Sequence, residues 1–178
     1  MPIYNYKSIS PSFGEDCFIA PSADIIGKVV CGDNVSIWFQ AIVRGDVDSI
    51  AIGDDTNIQD HSMLHITEGI PLVIGSGVTV GHSCTLHSCT IEDNCLIGMG
   101  ATILDNAVIG KNSLVAAGSL VPPGKKFPEG SFIVGSPAIL KRKLTDEELK
   151  NYGNHYKSYL KTKDEYLEFM ENTFLKDQ

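Results

Sequence analysis

The sequence predicts a mainly β protein: a parallel β-helix of hexapeptide repeats with a C-terminal α-helix. Two observations carry most of that expectation. Aliphatic or similar residues recur every six positions through much of the chain, and the recurrence stops at Pro122-Pro123, after which a segment of helical spacing follows.

The repeat runs through Ile19, Ile25, Cys31, Ile37 and Val43, resumes at Ile52, Ile58 and Leu64, and resumes again at Ile74, Val80 and Leu86. After one five-residue step it continues through Ile91, Ile97, Ile103, Ile109, Val115 and Val121. Four residues after most of these stands a small or β-branched residue, among them Ala23, Val47, Ser62, Cys84, Ala101 and Ser119. A period of six matches neither the 3.6 of a helix nor the alternation of a simple strand. It matches short parallel strands that turn a corner every six residues. The aliphatic positions fill the interior, the small ones pack the corners, and three hexads bring the chain back to the same face after about 18 residues.

Beyond Pro123, "GKKFPEGSFIVGSPAILKRKL" reads as an exit loop. "TDEE" reads as a capping box with Thr145 as N-cap and Glu148 as its reciprocal partner. Leu149, Tyr152, Tyr156, Tyr159, Leu160, Leu167 and Met170 then recur at helical spacing, predicting an amphipathic helix bent near Gly153. The expected organisation is a β-helix unit over residues 1–143 and a helical unit over 144–178 packing on it.

A net charge of −8 over 178 residues argues against nucleic acid or anionic membranes as partners. The clusters Lys125-Lys126 and Lys141-Arg142-Lys143 are too small to reverse that. No apolar run approaches the roughly 20 residues that span a bilayer. The first residues lack the apolar core of a signal peptide. Cys17, Cys31, Cys84, Cys89 and Cys95, an odd count, read as reduced thiols of a cytoplasmic protein, packed as small hydrophobes.

The repeat register orders the five histidines. His65 follows Leu64 and His87 follows Leu86, 22 residues apart, which is one turn plus a four-residue loop insertion near Glu68–Val73. The two are therefore expected to stack on adjacent rungs, about 4.8 Å apart, close enough to share a metal. His82 belongs to the preceding hexad and points elsewhere, so a three-fold trimer would bring it against the His65–His87 pair of a neighbour. Three neutral imidazoles with an open fourth position suit a catalytic zinc. His61 and His155 read as surface or packing residues. Arg44, Asp46, Asn57, Gln59 and Asp60 lie one or two rungs from His65. An Arg and an Asp two apart suit a buried interface pair, Gln59 suits a hydrogen bond to the metal-activated oxygen, and Asn57 suits its orientation.

On these residues ("RGD", "NIQD", "LH", then "GH" with "LH" five residues later, continuing into "IGMGA") the chain resembles the γ-class carbonic anhydrases. The resemblance implies a left-handed β-helix homotrimer that hydrates carbon dioxide to bicarbonate with zinc, or alternatively iron or cobalt, between subunits. By carry-over His65, His82 and His87 are ligands, Arg44–Asp46 is the interface pair, Gln59 and Asn57 are active-site polar residues, and Asp60 is a supporting carboxylate. Tyr159 is the best match to a helix tyrosine that some members place near the metal. Two departures bear on proton transfer. Val47 stands where members of established activity carry a glutamate, and the loop "TEGIPLV" is short, with Glu68 its only carboxylate.

Two rival readings remain. "GSPAILKRKL" resembles the "G-N-P-A" ending of CoA-dependent acyltransferases of the same repeat class. A metal-stabilised trimeric scaffold without turnover is the other.

Overall fold

The computed structural model describes residues 3–174, so the last four residues of the expected helical unit lie outside the described residues. The β portion is a parallel coil with three faces. On the first face Met63–His65, Thr85–His87, Thr102–Ile103 and Leu120–Val121 stack in parallel register above the start of Ile42–Ile52. The second face stacks Leu72–Ile74, Thr90–Ile91, Val108–Ile109 and Lys126–Phe127 above the end of that same long strand. The third runs from Phe18–Ile19 through Ser36–Ile37, Asn57–Ile58, Thr79–Val80, Leu96–Ile97 and Leu114–Val115 to Ser131–Gly135.

The six-residue pattern explains this coil residue by residue. Val43, Leu64, Leu86, Ile103 and Val121 form one interior stack, and Ile37, Ile58, Val80, Ile97 and Val115 another, all fully buried. The corners hold Ala23, Ala41, Ser62, Cys84, Ala101 and Ser119, also buried. The sharp turns need left-handed backbone. Asn34, Asp55, Asn94, Asn106 and Asn112 supply it at φ of +56° to +60°, with Gly100, Gly118 and Gly124 at equivalent corners. Asn, Asp and Gly tolerate that region best. His61 occupies such a corner at φ +61° and is exposed, so it serves the turn.

One corner departs from expectation. Val47 is not packed inside but 50 % exposed. The pairing of Asp24–Cys31 with Ile42–Ile52 shifts register after Gly27, so that Gly27 faces Gly45 while Val29 faces Ile50. The inserted residues bulge outward, and fully buried Ile50 takes the interior position instead.

The exit loop also proves more regular than expected. Ser131–Gly135 and Ala138–Lys143 form an antiparallel hairpin that closes the last rung, and the "GSPA" segment is its turn. A strand laid antiparallel on the final rung covers an otherwise open edge.

The C-terminal helix is broken rather than bent. Helix α1 spans Asp146–Tyr152 and ends at Gly153, and α2 spans Tyr156–Phe174. The capping box is present: Thr145 Oγ1 accepts from the Glu148 amide at 3.3 Å, and Glu148 Oε2 accepts from the Thr145 amide at 2.9 Å. Tyr159, Tyr166, Leu167 and Met170 pack on the core, and Phe18, Trp38 and Tyr166 meet at ring separations of 5.0 to 5.7 Å. Lys163, 2 % exposed, donates to the Asp16 carbonyl at 3.0 Å and to Asp164 at 2.6 Å, pinning α2 over the first strands of the third face. No described helix is long and apolar enough to cross a membrane.

Hydrogen bonding from Arg142, then from the Thr145 amide, draws the Glu148 carboxyl down to about 2 from an ordinary 4.5. A carboxyl held low in the folded state stabilises it above the ordinary value and loses that effect as pH falls toward the folded value. Amide protection across α1, taken relative to the intrinsic exchange rate at each pH, is therefore expected to hold down to pH 4.5 and to fall toward pH 2. In Arg142→Ala, which lacks the main cause of the low folded value, that fall should be smaller.

Candidate metal centre

The site residues fall into two groups at two corners of the prism. The first group sits where the first face turns into the second. His65 and His87 are direct partners in the parallel ladder, and Leu64 and Leu86 beneath them are fully buried, so the rung stacking itself aligns the two rings. His65 Nδ1 lies 3.2 Å from His87 Nε2. The outer nitrogens each meet a carboxylate: His65 Nε2 is 3.0 Å from Asp46 Oδ1, and His87 Nδ1 is 2.5 Å from Asp105 Oδ1. Asp46 also accepts from Arg44, and Asp105 Oδ2 accepts from the Thr67 hydroxyl at 2.9 Å.

Burial works against the Asp46 carboxylate, yet the His65 and Arg44 hydrogen bonds outweigh it and hold its pKa below the usual value. Asp105 is held low chiefly by its bond to His87, against burial and with help from Thr67. Both carboxylates are therefore ionised at neutral pH and can only accept. Each outer ring nitrogen then carries the hydrogen, which leaves both inner nitrogens as lone pairs when the rings are neutral. Two lone pairs 3.2 Å apart repel unless a proton or a metal ion lies between them. Two nitrogens bound to one tetrahedral zinc at about 2.1 Å are about 3.4 Å apart. The donor set of this first group thus fits a zinc-like ion.

The second group sits at the corner between the third and first faces. Gly81 lets the rungs close up there: a Cβ on it would fall 2.8 Å from the Ile97 oxygen and from the Met99 nitrogen. The next residue, His82, turns outward, with Nδ1 2.9 Å from Asp60 Oδ2 and 40 % of the side chain exposed. Asn57 and Gln59 are buried beside it. The Gln59 amide donates to Asn57 Oδ1 at 3.1 Å, and the Asn57 amide donates to Thr79 Oγ1 at 3.0 Å. Tyr159 rests against Trp38 at 5.5 Å, and burial, then the negative charge of Asp60, pushes its hydroxyl pKa upward.

Arg44, Asp46, His65 and His87 thus gather at one corner, and Asn57, Gln59, Asp60, His82 and Tyr159 at another. Among the described residues of a single chain, no group of three His, Cys, Asp or Glu is placed to hold a metal. Two residues escaped sequence reasoning. Asp105 lies 18 residues after His87, one rung on, and that spacing was the signal available. His155, read as a packing residue, has Nδ1 3.4 Å from Thr79 Oγ1 and its ring 6.0 Å from Tyr159. The cysteines offer no thiolate here. Burial raises Cys31, Cys89 and Cys95 to about 12 and Cys84 to about 11.

The coil places the chain in the hexapeptide-repeat class, and residues 88–123 match the bacterial transferase hexapeptide (six repeats) family. The chain is 47 % identical over 158 residues to a carbonic anhydrase of Geobacillus kaustophilus, covering 89 % of this chain and 87 % of that protein. It is 45 % identical over 164 residues to gamma carbonic anhydrase 2, mitochondrial, of Arabidopsis thaliana, covering 89 % of this chain but 59 % of that protein. A Bacillus cereus structure described as a putative acetyltransferase superposes with a TM-score of 0.90 at 43 % identity, covering 92 % of this chain and 95 % of that one. The chain belongs to the γ-class carbonic anhydrase-like family of hexapeptide-repeat proteins.

Proposed function

We propose that this protein is a zinc-dependent hydratase of the γ carbonic anhydrase type, interconverting carbon dioxide and bicarbonate at centres shared between subunits of a homotrimer. The observation that carries this reading is the pair of inner imidazole nitrogens of His65 and His87, 3.2 Å apart, with each outer nitrogen donated to an ionised carboxylate. His65 and His87 hold the ion together with His82 of a neighbouring copy, because His82 sits at the opposite edge of the first face. When bound, the ion supplies the Lewis acidity that makes water a nucleophile near neutral pH. Iron or cobalt would serve the same donors.

The chain's own side chains do the rest. Asp46 fixes the His65 ring, and Arg44 compensates the carboxylate's charge. The Asn57–Gln59 bond holds the Gln59 amide in one orientation, ready to position substrate. Val47 offers no proton acceptor, but Asp48 and Glu68 line a cleft of about 320 Å³ that also reaches Asp46, and they relay the proton toward solvent.

Acyl transfer is the second reading. A cleft of about 340 Å³ runs from Gln59 along Leu96, Met99 and Leu114 to Tyr152 and His155, and it exceeds what carbon dioxide needs. Against this, "GSPA" has a structural task as the turn of the closing hairpin. Stopped-flow hydration by zinc-loaded protein separates the two readings. Turnover that disappears with a chelator and returns with zinc is expected. A zinc-loaded protein that is inactive but binds CoA would establish the transferase instead.

A further inference from the structure

We propose that Asp105 is a positioning residue for His87, held in place by Thr67, and that it fixes His87 in the tautomer whose Nε2 lone pair faces the metal. This inference rests on the reading of the first group as a metal centre.

The geometry leaves little choice of hydrogen placement. Asp105 Oδ2 accepts from the Thr67 hydroxyl at 2.9 Å, and Oδ1 lies 2.5 Å from His87 Nδ1. A carboxylate that accepts on one oxygen and meets a ring nitrogen on the other accepts a hydrogen bond from that nitrogen too. His87 therefore carries its hydrogen on Nδ1, and Nε2 is left as the donor atom, 3.2 Å from its counterpart on His65. A carboxylate behind a ligating imidazole sets both its tautomer and its aim.

Thr67 is the first residue of the loop that interrupts the repeat, and the structure ties it down. Its amide donates to Ser88 Oγ at 2.6 Å, and Ser88 Oγ donates in turn to the Ile70 carbonyl at 2.9 Å. Thr67 and Ile70 also form a β-bridge across the loop. The loop thereby braces Asp105, and Asp105 braces His87.

The test reads the ring as well as the metal. In the metal-free full-length protein at alkaline pH, ¹⁵N-resolved spectra of His87 are expected to show hydrogen on Nδ1. Asp105→Ala should shift His87 toward the Nε2–H form and weaken zinc affinity by about 10- to 100-fold, measured against a competing chelator. Asp105→Asn retains an acceptor for Nδ1–H, so it should keep the tautomer and lose less affinity. Thr67→Val keeps the shape of the loop and guards against a folding defect in Asp105→Ala. It should fall between wild type and Asp105→Ala. If Asp105→Ala keeps the Nδ1–H form and binds zinc within about twofold of wild type, the inference is overturned while the metal reading survives. Wild-type protein that binds no zinc would remove the metal reading itself and this inference with it.

Discussion

His87→Ala is expected to abolish zinc retention and carbon dioxide hydration together while leaving the fold intact. The imidazole is partly exposed at a corner, with 29 % of its side-chain surface accessible, so its loss opens no cavity in the coil. It does remove one of the two inner nitrogens that the proposed centre uses to hold the metal. The fall in zinc affinity should exceed the roughly 100-fold that loss of an outer partner costs. His82→Ala should match it, although His82 lies at a different corner and bonds to Asp60 instead. Equal losses from two positions that do not meet within one chain are what a site shared between copies requires. The check is a chelator-competed zinc titration beside stopped-flow hydration for each variant. A His82→Ala protein that keeps its zinc and its activity would leave His82 outside the centre.

Leu86→Ala is expected to have the largest effect on stability and to damage the centre indirectly. Leu86 is fully buried, paired with Leu64 below it and Ile103 above it. Parallel rungs cannot close over a missing side chain without moving their backbones, so the change should cost about 2–5 kcal/mol by chemical denaturation. The backbone that sags there also carries His87, one residue on. Zinc affinity measured well below the unfolding transition should therefore fall as well, though less than in His87→Ala. A change of that size at Val47, half exposed on the bulge, should be nearly silent in stability.

Much of this fold is legible because a coil repeats one small decision many times. Each turn needs an aliphatic residue inside, a small one at the corner and a left-handed residue to turn. Asn, Asp and Gly mark that last position in the sequence. The pairing of His65 with His87 follows from the same register, since a 22-residue spacing is one rung plus an insertion. What escaped has local causes. Val47 obeys the six-residue count but lies in a stretch where the pairing slips by several residues, which the count does not reveal. The break after Tyr152 reads as a bend until the geometry of the helix end at Gly153 is known. Asp105 was passed over because its partner is one rung away, where most residues contribute only stacking. That His82 stands apart from the His65–His87 pair is legible from its hexad position; that Asn57, Gln59 and Asp60 go with His82 and not with His65 is not, and the apolar cleft running on from Gln59 depends on where α1 lies.

The central claim is that each centre takes His82 from one copy and the His65–His87 pair from another. Co-assembling His82→Ala chains with His87→Ala chains in equal amounts tests it most directly. Each parent alone should be inactive. In a randomly mixed three-fold ring, one ordered contact in four joins an intact His82 to an intact His65–His87 pair, so about a quarter of the wild-type hydration rate should return. Mixed assemblies that contain both chains but stay as inactive as their parents would contradict the shared site.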